Sequence, residues 1–231
     1  MKAPAVTAEQ MRELDRRARD EFGIPVKALM ENAGRAVAEE SVRFLKKTGS
    51  AKPWKVLLFC GGGNNGGDGL VAARLLAQQG IETRTFIFKP ADSLKDEVLS
   101  NFEELGRLSL PYEFLPKFAK ISQEIRGSSL LIDALLGTGL KSKVRGDFAQ
   151  AIGAVNGSGL PVLSVDVPSG MDADSGAVPG TCVKAALTVT MGALKKGFLN
   201  PRARRWTGNV RVADIGFPKE LLADLERKDG K

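Results

Sequence analysis

The chain has 231 residues, 43% of them hydrophobic, and a formal net charge of +7. That apolar content supplies a sizeable core and excludes a disordered chain, while the lack of any histidine excludes a histidine triad or a histidine zinc site. Proton transfer must then fall to Asp, Glu, Lys, Cys, the single Tyr112 or water. Two cysteines, Cys60 and Cys182, are too few for a disulfide scaffold and suit a reduced, cytoplasmic protein. No apolar run approaches the roughly 18 residues of a membrane span, and the charged N-terminus has no signal-peptide core. The basic residues are scattered, with one cluster at Arg202, Arg204 and Arg205 and no aromatic stacking platform. Such charge favours an anionic metabolite over nucleic acid.

Thr7 to Gln10 reads as a capping box that opens a helix running to about Phe22, with Gly23 as its stop. Pro25 starts a second helix, whose Leu29, Met30, Ala33, Val37 and Leu45 recur at helical spacing up to Gly49. Strand-like segments follow at 55–60, 83–88, 129–134, 161–166, 185–191 and 208–214, with helical patterns at about 68–79, 93–107 and 146–155. Such alternation predicts an α/β fold: a mostly parallel central sheet with helices on both faces. No repeat or linker divides residues 1–231, so one domain is expected.

Three glycine-punctuated polar turns follow predicted strands: Asn64–Asp68, Asp133–Gly139 and Asp166–Gly170. Open α/β sheets bind ligands beyond the carboxyl ends of their strands, so the three turns predict one composite pocket. Gly61, Gly63 and Gly66 satisfy G-x-G-x-x-G between a strand and a helix. An ordinary NAD site also wants an acidic residue at the end of the next strand, but here Glu82 precedes that strand and its end is Lys89. A Gly-Lys-Ser/Thr phosphate loop is missing too. Six glycines within nine residues are costly unless close approach requires them; Gly66 and Gly67 are expected to admit a ligand, at least one with φ > 0. Asp133 and Asp166 can each serve a site or simply accept backbone hydrogen bonds from their turns. Ser169, in V-P-S-G, has no histidine to activate it. Lys195 and Lys196 can be a pocket pair or a solvated surface pair.

The stretches ALMENAGRAVAE, GGGNNGGDGLVAARLL, IDALLGTGL, VDVPSGMDADSG and VADIGFP occur in this order along nearly the whole chain. Together they resemble the NAD(P)H-hydrate epimerase family, the YjeF N-terminal domain. The resemblance implies a Rossmann-like three-layer fold and an isomerase that interconverts the R and S forms of hydrated NADH and NADPH. A separate dehydratase would consume the S form, and the enzyme would be a homodimer. Family positions for the hydrated cofactor fall on Asn64, Asn65, Gly66, Gly67 and Asp68, on Gly137, Thr138, Gly139, Leu140, Lys141, Ser142 and Lys143, and on Asp166. The resemblance also implies one potassium ion per subunit, held by Asn65, Asp133 and Ser169, oxygen donors that suit a monovalent cation. Relatives often carry arginine near Ser142, which here is flanked by lysines, so phosphate contacts can differ.

The reacting carbon bears a hydroxyl and the ring nitrogen. Acid-assisted loss of the hydroxyl leaves a nitrogen-stabilised cation, and water returns to the opposite face. Asp166 is the expected acid/base and stabilises the cation. Asp68 is the second candidate, unless it only serves the helix amides. Lys195, in A-L-K-K-G against the family's P-K-x-G, is expected to touch phosphate or the pocket. Some relatives of this domain act as scaffolding modules without turnover, which is the alternative function.

Overall fold

The structure is a computed structural model and describes residues 5–94, 96–140 and 142–228. A two-residue strand β1 (Ala5–Val6) leads into α1 (Ala8–Asp20) and α2 (Val26–Lys47). Then come β2 (Lys55–Cys60), α3 (Asn64–Gln78), β3 (Glu82–Ile87), α4 (Asp96–Arg107), β4 (Tyr112–Phe114), α5 (Phe118–Ile125) and β5 (Leu130–Ala134). The chain continues through α6 (Gly146–Gly157), β6 (Val162–Val165), β7 (Leu187–Met191), β8 (Leu194–Lys195), α7 (Arg204–Thr207), β9 (Asn209–Ala213) and α8 (Lys219–Lys228).

Seven strands form one sheet in the order β4-β3-β2-β5-β6-β7-β9, and every pairing in it is parallel. β2 shows why helices cover both faces. Val56, Leu58 and Cys60 point into a core shared with α1 to α4, whereas Leu57 and Phe59 point into one shared with α5 and α6. Both sides of the strand are apolar, the pattern of a sheet buried on both faces. The strand order reverses between β2 and β5, and this switch point opens a crevice at their carboxyl ends.

Several predicted signals are visible at atomic level. Gln10 N donates to Thr7 Oγ1 at 3.1 Å and Thr7 N donates to Gln10 Oε1 at 2.7 Å, completing the capping box. Gly23 and Gly49 take φ of 65° and 68° where their helices stop, a backbone conformation that glycine reaches without a Cβ penalty. Pro25 sits one place earlier than expected, as the N-cap of α2.

Two expectations need correction. α3 starts at Asn64, not at about residue 68, so the Asn-Asn-Gly-Gly stretch is the first helical turn rather than a loop. Consequently neither Gly66 nor Gly67 has a positive φ. Their glycine identity is a packing requirement: a Cβ on Gly66 would overlap the Gly61 carbonyl, and one on Gly67 would sit 2.5 Å from Met30 Sδ. The glycines let α3 descend onto β2 and α2. Gly66→Ala should therefore lower the free energy of unfolding by at least about 1–3 kcal/mol, because the opposing atom is backbone and cannot rotate away. Urea denaturation measures it, and an unchanged midpoint would refute this packing account.

Candidate active site

A cavity of about 600 Å³ lies over the switch point. Its floor and walls include Gly62, Gly63, Asn64, Asn65 and Asp68 from the β2–α3 turn, Gly137 to Leu140 after β5, and Asp166 after β6. All three polar turns thus reach one cavity. Gly63, the N-cap of α3, has no side-chain cap, so the free amides of the helix start are available to an anion such as a pyrophosphate.

Asp166 is held in an uncommon way. Its φ is 62°, a left-handed conformation costing about 1 kcal/mol in a residue with a Cβ. Its Oδ1 accepts from Thr190 Oγ1 and from Met191 N, both at 3.1 Å, and pairs with Lys195 Nζ at 2.7 Å. Oδ2 has no partner among the described residues, so one carboxylate oxygen is anchored while the other stays open to the cavity.

Lys195 is completely buried. Its ammonium also donates to Met191 O at 2.9 Å and Ala193 O at 3.1 Å, which uses all three of its N–H bonds. The expected phosphate or pocket contact by Lys195 is corrected: it lies beneath the site and orients Asp166. It is likewise no member of a solvated pair.

Asp68 is 9% exposed and makes no hydrogen bond or ion pair among the described residues. It does not serve the helix amides. Burial, the Asp166 charge and the Asp15 charge all push its pKa well up, against a smaller opposing pull from Lys195. Asp15, on α1, also lines the cavity; burial and then Asp166 push it up to about 6, with Lys195 again opposing. Three carboxyl groups therefore share one poorly solvated space above one buried cation. Neither cysteine competes for a chemical role, since both thiols are buried and desolvation raises their pKa.

Two of the expected ion ligands, Asp133 and Ser169, meet at the β5 turn, while Asn65 lines the cavity. Asp133 is fully buried and forms no ion pair among the described residues. It accepts from Leu135 N (3.3 Å), Ser164 Oγ (2.8 Å), Ser169 N (2.9 Å) and Ser169 Oγ (2.5 Å). Ser169 Oγ in turn accepts from Leu136 N at 2.8 Å and has a second acceptor, Leu136 O, at 3.1 Å. Asn65 packs against Gly137, and both polar atoms of its amide are buried without a partner. An orphaned amide oxygen and a buried carboxylate that has hydrogen bonds but no counter-charge suit an oxygen-liganded cation, since both are otherwise costly. The donor set fits potassium.

Residues 26–197 match the family of the YjeF-related protein N-terminus. The chain is 39% identical over 224 residues to an NAD(P)H-hydrate epimerase of Elusimicrobium minutum, an alignment covering 95% of this chain and 99% of that protein. The chain belongs to this family. It is also 37% identical over 217 residues to a bifunctional NAD(P)H-hydrate repair enzyme Nnr of Thermofilum pendens, where it spans 40% of the relative's length. The fold is that of yeast ynu0, with a TM-score of 0.85 at 24% identity over 96% of this chain and 93% of that one.

Within this YjeF-family domain, the structure distributes the expected site residues in three groups. Asn64, Asn65, Asp68, Gly137, Thr138, Gly139, Leu140 and Asp166 line the cavity. Gly66 and Gly67 lie behind it as packing residues, whereas Ser142 and Lys143 point elsewhere, with the Lys143 stem against Gly180. Ser142 and Lys143 are exposed and do not line the cavity, whose lining in this segment stops at Leu140. Lys141 lies outside the described residues. What sequence reasoning missed is α1, which brings Arg12, Asp15, Arg16 and Arg19 to the cavity mouth. The only signal available was their i, i+3, i+4, i+7 spacing, and that reads equally well as a solvated helix face.

Asp15 gives a prediction whose sign is fixed. Its folded pKa lies above 3.8, so its protonated form is favoured by folding, and that contribution is lost as pH rises through about 6. Asp15→Asn should be more stable than the parent at pH 8 by roughly 1–2 kcal/mol, allowing for partial solvent screening, and the gap should close at pH 4. Urea melts at the two pH values test this; a gap that is constant with pH would refute it.

Proposed function

We propose that this chain is an NAD(P)H-hydrate epimerase that interconverts the R and S hydrates of NADH and NADPH. The observation that carries this reading is the set of three carboxyl groups facing one cavity over a buried lysine, next to an uncapped helix start suited to a pyrophosphate. The alignment with a whole epimerase over 95% of this chain agrees with it. A purely scaffolding domain has no use for Asp68, a buried carboxyl without a partner.

Epimerisation needs a proton donor to expel the hydroxyl as water, a negative charge to steady the nitrogen-stabilised cation, and a base to deprotonate the returning water. Asp68, with its raised pKa, suits the donor. Asp166, its Oδ1 fixed by Lys195, Thr190 and Met191 N, presents Oδ2 as base and counter-charge. Pairs of carboxyl groups with divergent environments divide acid and base work in this manner. The apolar side chains of Met11, Leu29, Met30 and Met191 also line the cavity and limit bulk water, which strengthens the attraction between Asp166 and the cation.

Asn65, Asp133 and Ser169 would hold a potassium ion, which would supply positive charge at the β5 turn. The S hydrate passes to a dehydratase, a step for which the greater length of the bifunctional relatives leaves room in one chain. The same reading carries a homodimer and a cytoplasmic setting, where Cys60 and Cys182 stay reduced; among the described residues no helix is long and apolar enough to cross a membrane.

Asp166→Asn keeps the size and most hydrogen bonds of the side chain but cannot exchange a proton. Epimerisation kcat should fall about 10²–10⁴-fold with a small change in KM. The protein-free rate must be subtracted, because the hydrates epimerise slowly unaided. A near-normal kcat would transfer the base role to Asp68 or Asp15. For the ion, potassium chloride should raise the melting temperature more than tetramethylammonium chloride at equal ionic strength, through binding to the folded state. Asp133→Asn should abolish that increment; an increment unchanged in this variant would remove Asp133 from the site.

A further inference from the structure

We propose that Lys89 recognises the 2′-phosphate of the substrate's adenosine ribose, so that hydrated NADPH is preferred over hydrated NADH. The inference rests on the epimerase reading for the direction in which the dinucleotide lies. With the reacting ring at Asp166, after β6, and the pyrophosphate at the uncapped start of α3, the second nucleoside falls on the other side of the switch point. That side is the carboxyl end of β3, since β3 flanks β2 opposite β5. β3 and β6 are three strand spacings apart, roughly 14 Å, so the two ends of an extended dinucleotide reach different chemistry.

The end of this strand is where an ordinary dinucleotide fold places an acidic residue to accept hydrogen bonds from the ribose hydroxyls, a charge that repels a 2′-phosphate. Here the position two residues beyond β3 is Lys89. The acidic residue of the strand, Glu82, is at its opposite end. Lys89 lines the cavity, is exposed, and makes no hydrogen bond or ion pair among the described residues. Its stem lies on the glycine turn: a Cβ at Gly62 would stand 2.8 Å from Lys89 Cγ and 3.1 Å from its Cβ. The glycine therefore leaves room for the lysine to run along the cavity wall.

The other cations at the mouth are differently placed. Arg16 is engaged by Glu13 and Asp20, and Arg19 by Asp20. Arg12 has no partner among the described residues, but it is on α1, one helical turn from Asp15, whose charge interacts with Asp166 and Lys195; it serves the reacting end. Asp92 shares the short turn after Lys89 but does not line the cavity. Among the described residues, Lys89 is the cation that lines the cavity at the β3 end.

The test uses two probes without a nicotinamide, adenosine 2′,5′-bisphosphate and 5′-AMP, titrated calorimetrically into the full chain and into Lys89→Ala and Lys89→Glu. Ionic strength is held constant, because exposed charges are screened. The parent should bind the 2′,5′-bisphosphate about tenfold or more tightly than a matched ligand lacking that phosphate, the scale of one charge-assisted contact. Lys89→Ala should level the two affinities and Lys89→Glu should invert them. kcat/KM for hydrated NADPH should fall about tenfold in Lys89→Ala while that for hydrated NADH stays within about twofold. Equal losses for both hydrates would overturn the proposal and assign Lys89 to the pyrophosphate. A parent indifferent to the 2′-phosphate would also overturn it, and discrimination that survives in Lys89→Ala but not in Arg12→Ala would move the subsite to α1. Retained discrimination without turnover of either hydrate would support the subsite and overturn the epimerase reading, so the two can fail separately.

Discussion

The ion pair between Lys195 and Asp166 organises the molecule from beneath the cavity. Taking an ammonium group entirely out of water costs several kcal/mol unless its hydrogens and its charge are all matched. Here two backbone carbonyls and one carboxylate oxygen match them. The arrangement requires the short turn between β7 and β8 to bring Lys195 against Asp166, and it requires Asp166 to leave β6 with φ of 62°. The strain in that residue is offset by three donors on Oδ1. What remains is an aspartate that cannot rotate, with its second oxygen facing the cavity.

The same lysine fixes the front of the site. β8 carries it, and β8 pairs in parallel with β1, Val6 opposite Lys195. β1 runs directly into the capping box of α1, and Ala8 N is tied to Asp174 Oδ1 at 2.6 Å. α1 then crosses the cavity mouth with Asp15 and the arginines on its inner side. A short strand pair of two residues each would not persist alone; the buried ion pair and the apolar contacts of Val6, Met11 and Leu14 hold it in place. Floor and roof of the cavity are therefore one continuous structural unit built from segments 189 residues apart in the chain.

This distance explains what the sequence could and could not reveal. β2, β5, β6 and β7 were legible as compact, mostly apolar runs bounded by turn residues, and β3 and β9 by β-branched residues at alternate positions (Thr83, Thr85 and Ile87; Val210 and Val212), and parallel alternation follows from that spacing. The polar turns were legible because strand ends in such a sheet have one destination. β4, with three residues, and β1 and β8, with two each, lack enough length to show any period. α5 was hidden for a related reason, eight residues with a single fully buried position, Ile121. Lys195 could not be placed because nothing local distinguishes a saturated buried ammonium from a solvated one. Asp15 was invisible as a site residue because its neighbours, Glu13, Arg16 and Asp20, make an ordinary surface salt-bridge pattern around it. The start of α3 was misjudged because glycine and asparagine are poor helix formers; contacts with Gly61 and Met30 outweigh that propensity.

The residues around the cavity are also the places where the structure is least satisfied. Asn65 has an orphaned amide, Asp68 and Asp15 are poorly solvated carboxyls without partners, and Asp166 is strained. A fold selected only for stability would replace each of them. An apolar residue at Asp68 would remove a desolvation penalty, and glycine at Asp166 would remove the left-handed strain. Each replacement would cost the cavity a specific capacity: a proton donor, a rigid counter-charge, or a ligand for a cation. These costs are concentrated around one space, while the remaining core is conventionally packed on both faces of the sheet. That distribution is what a pre-organised site requires, because groups aimed at a transient cation must already be desolvated and fixed before substrate arrives. The free energy is spent in folding so that it need not be spent in the reaction.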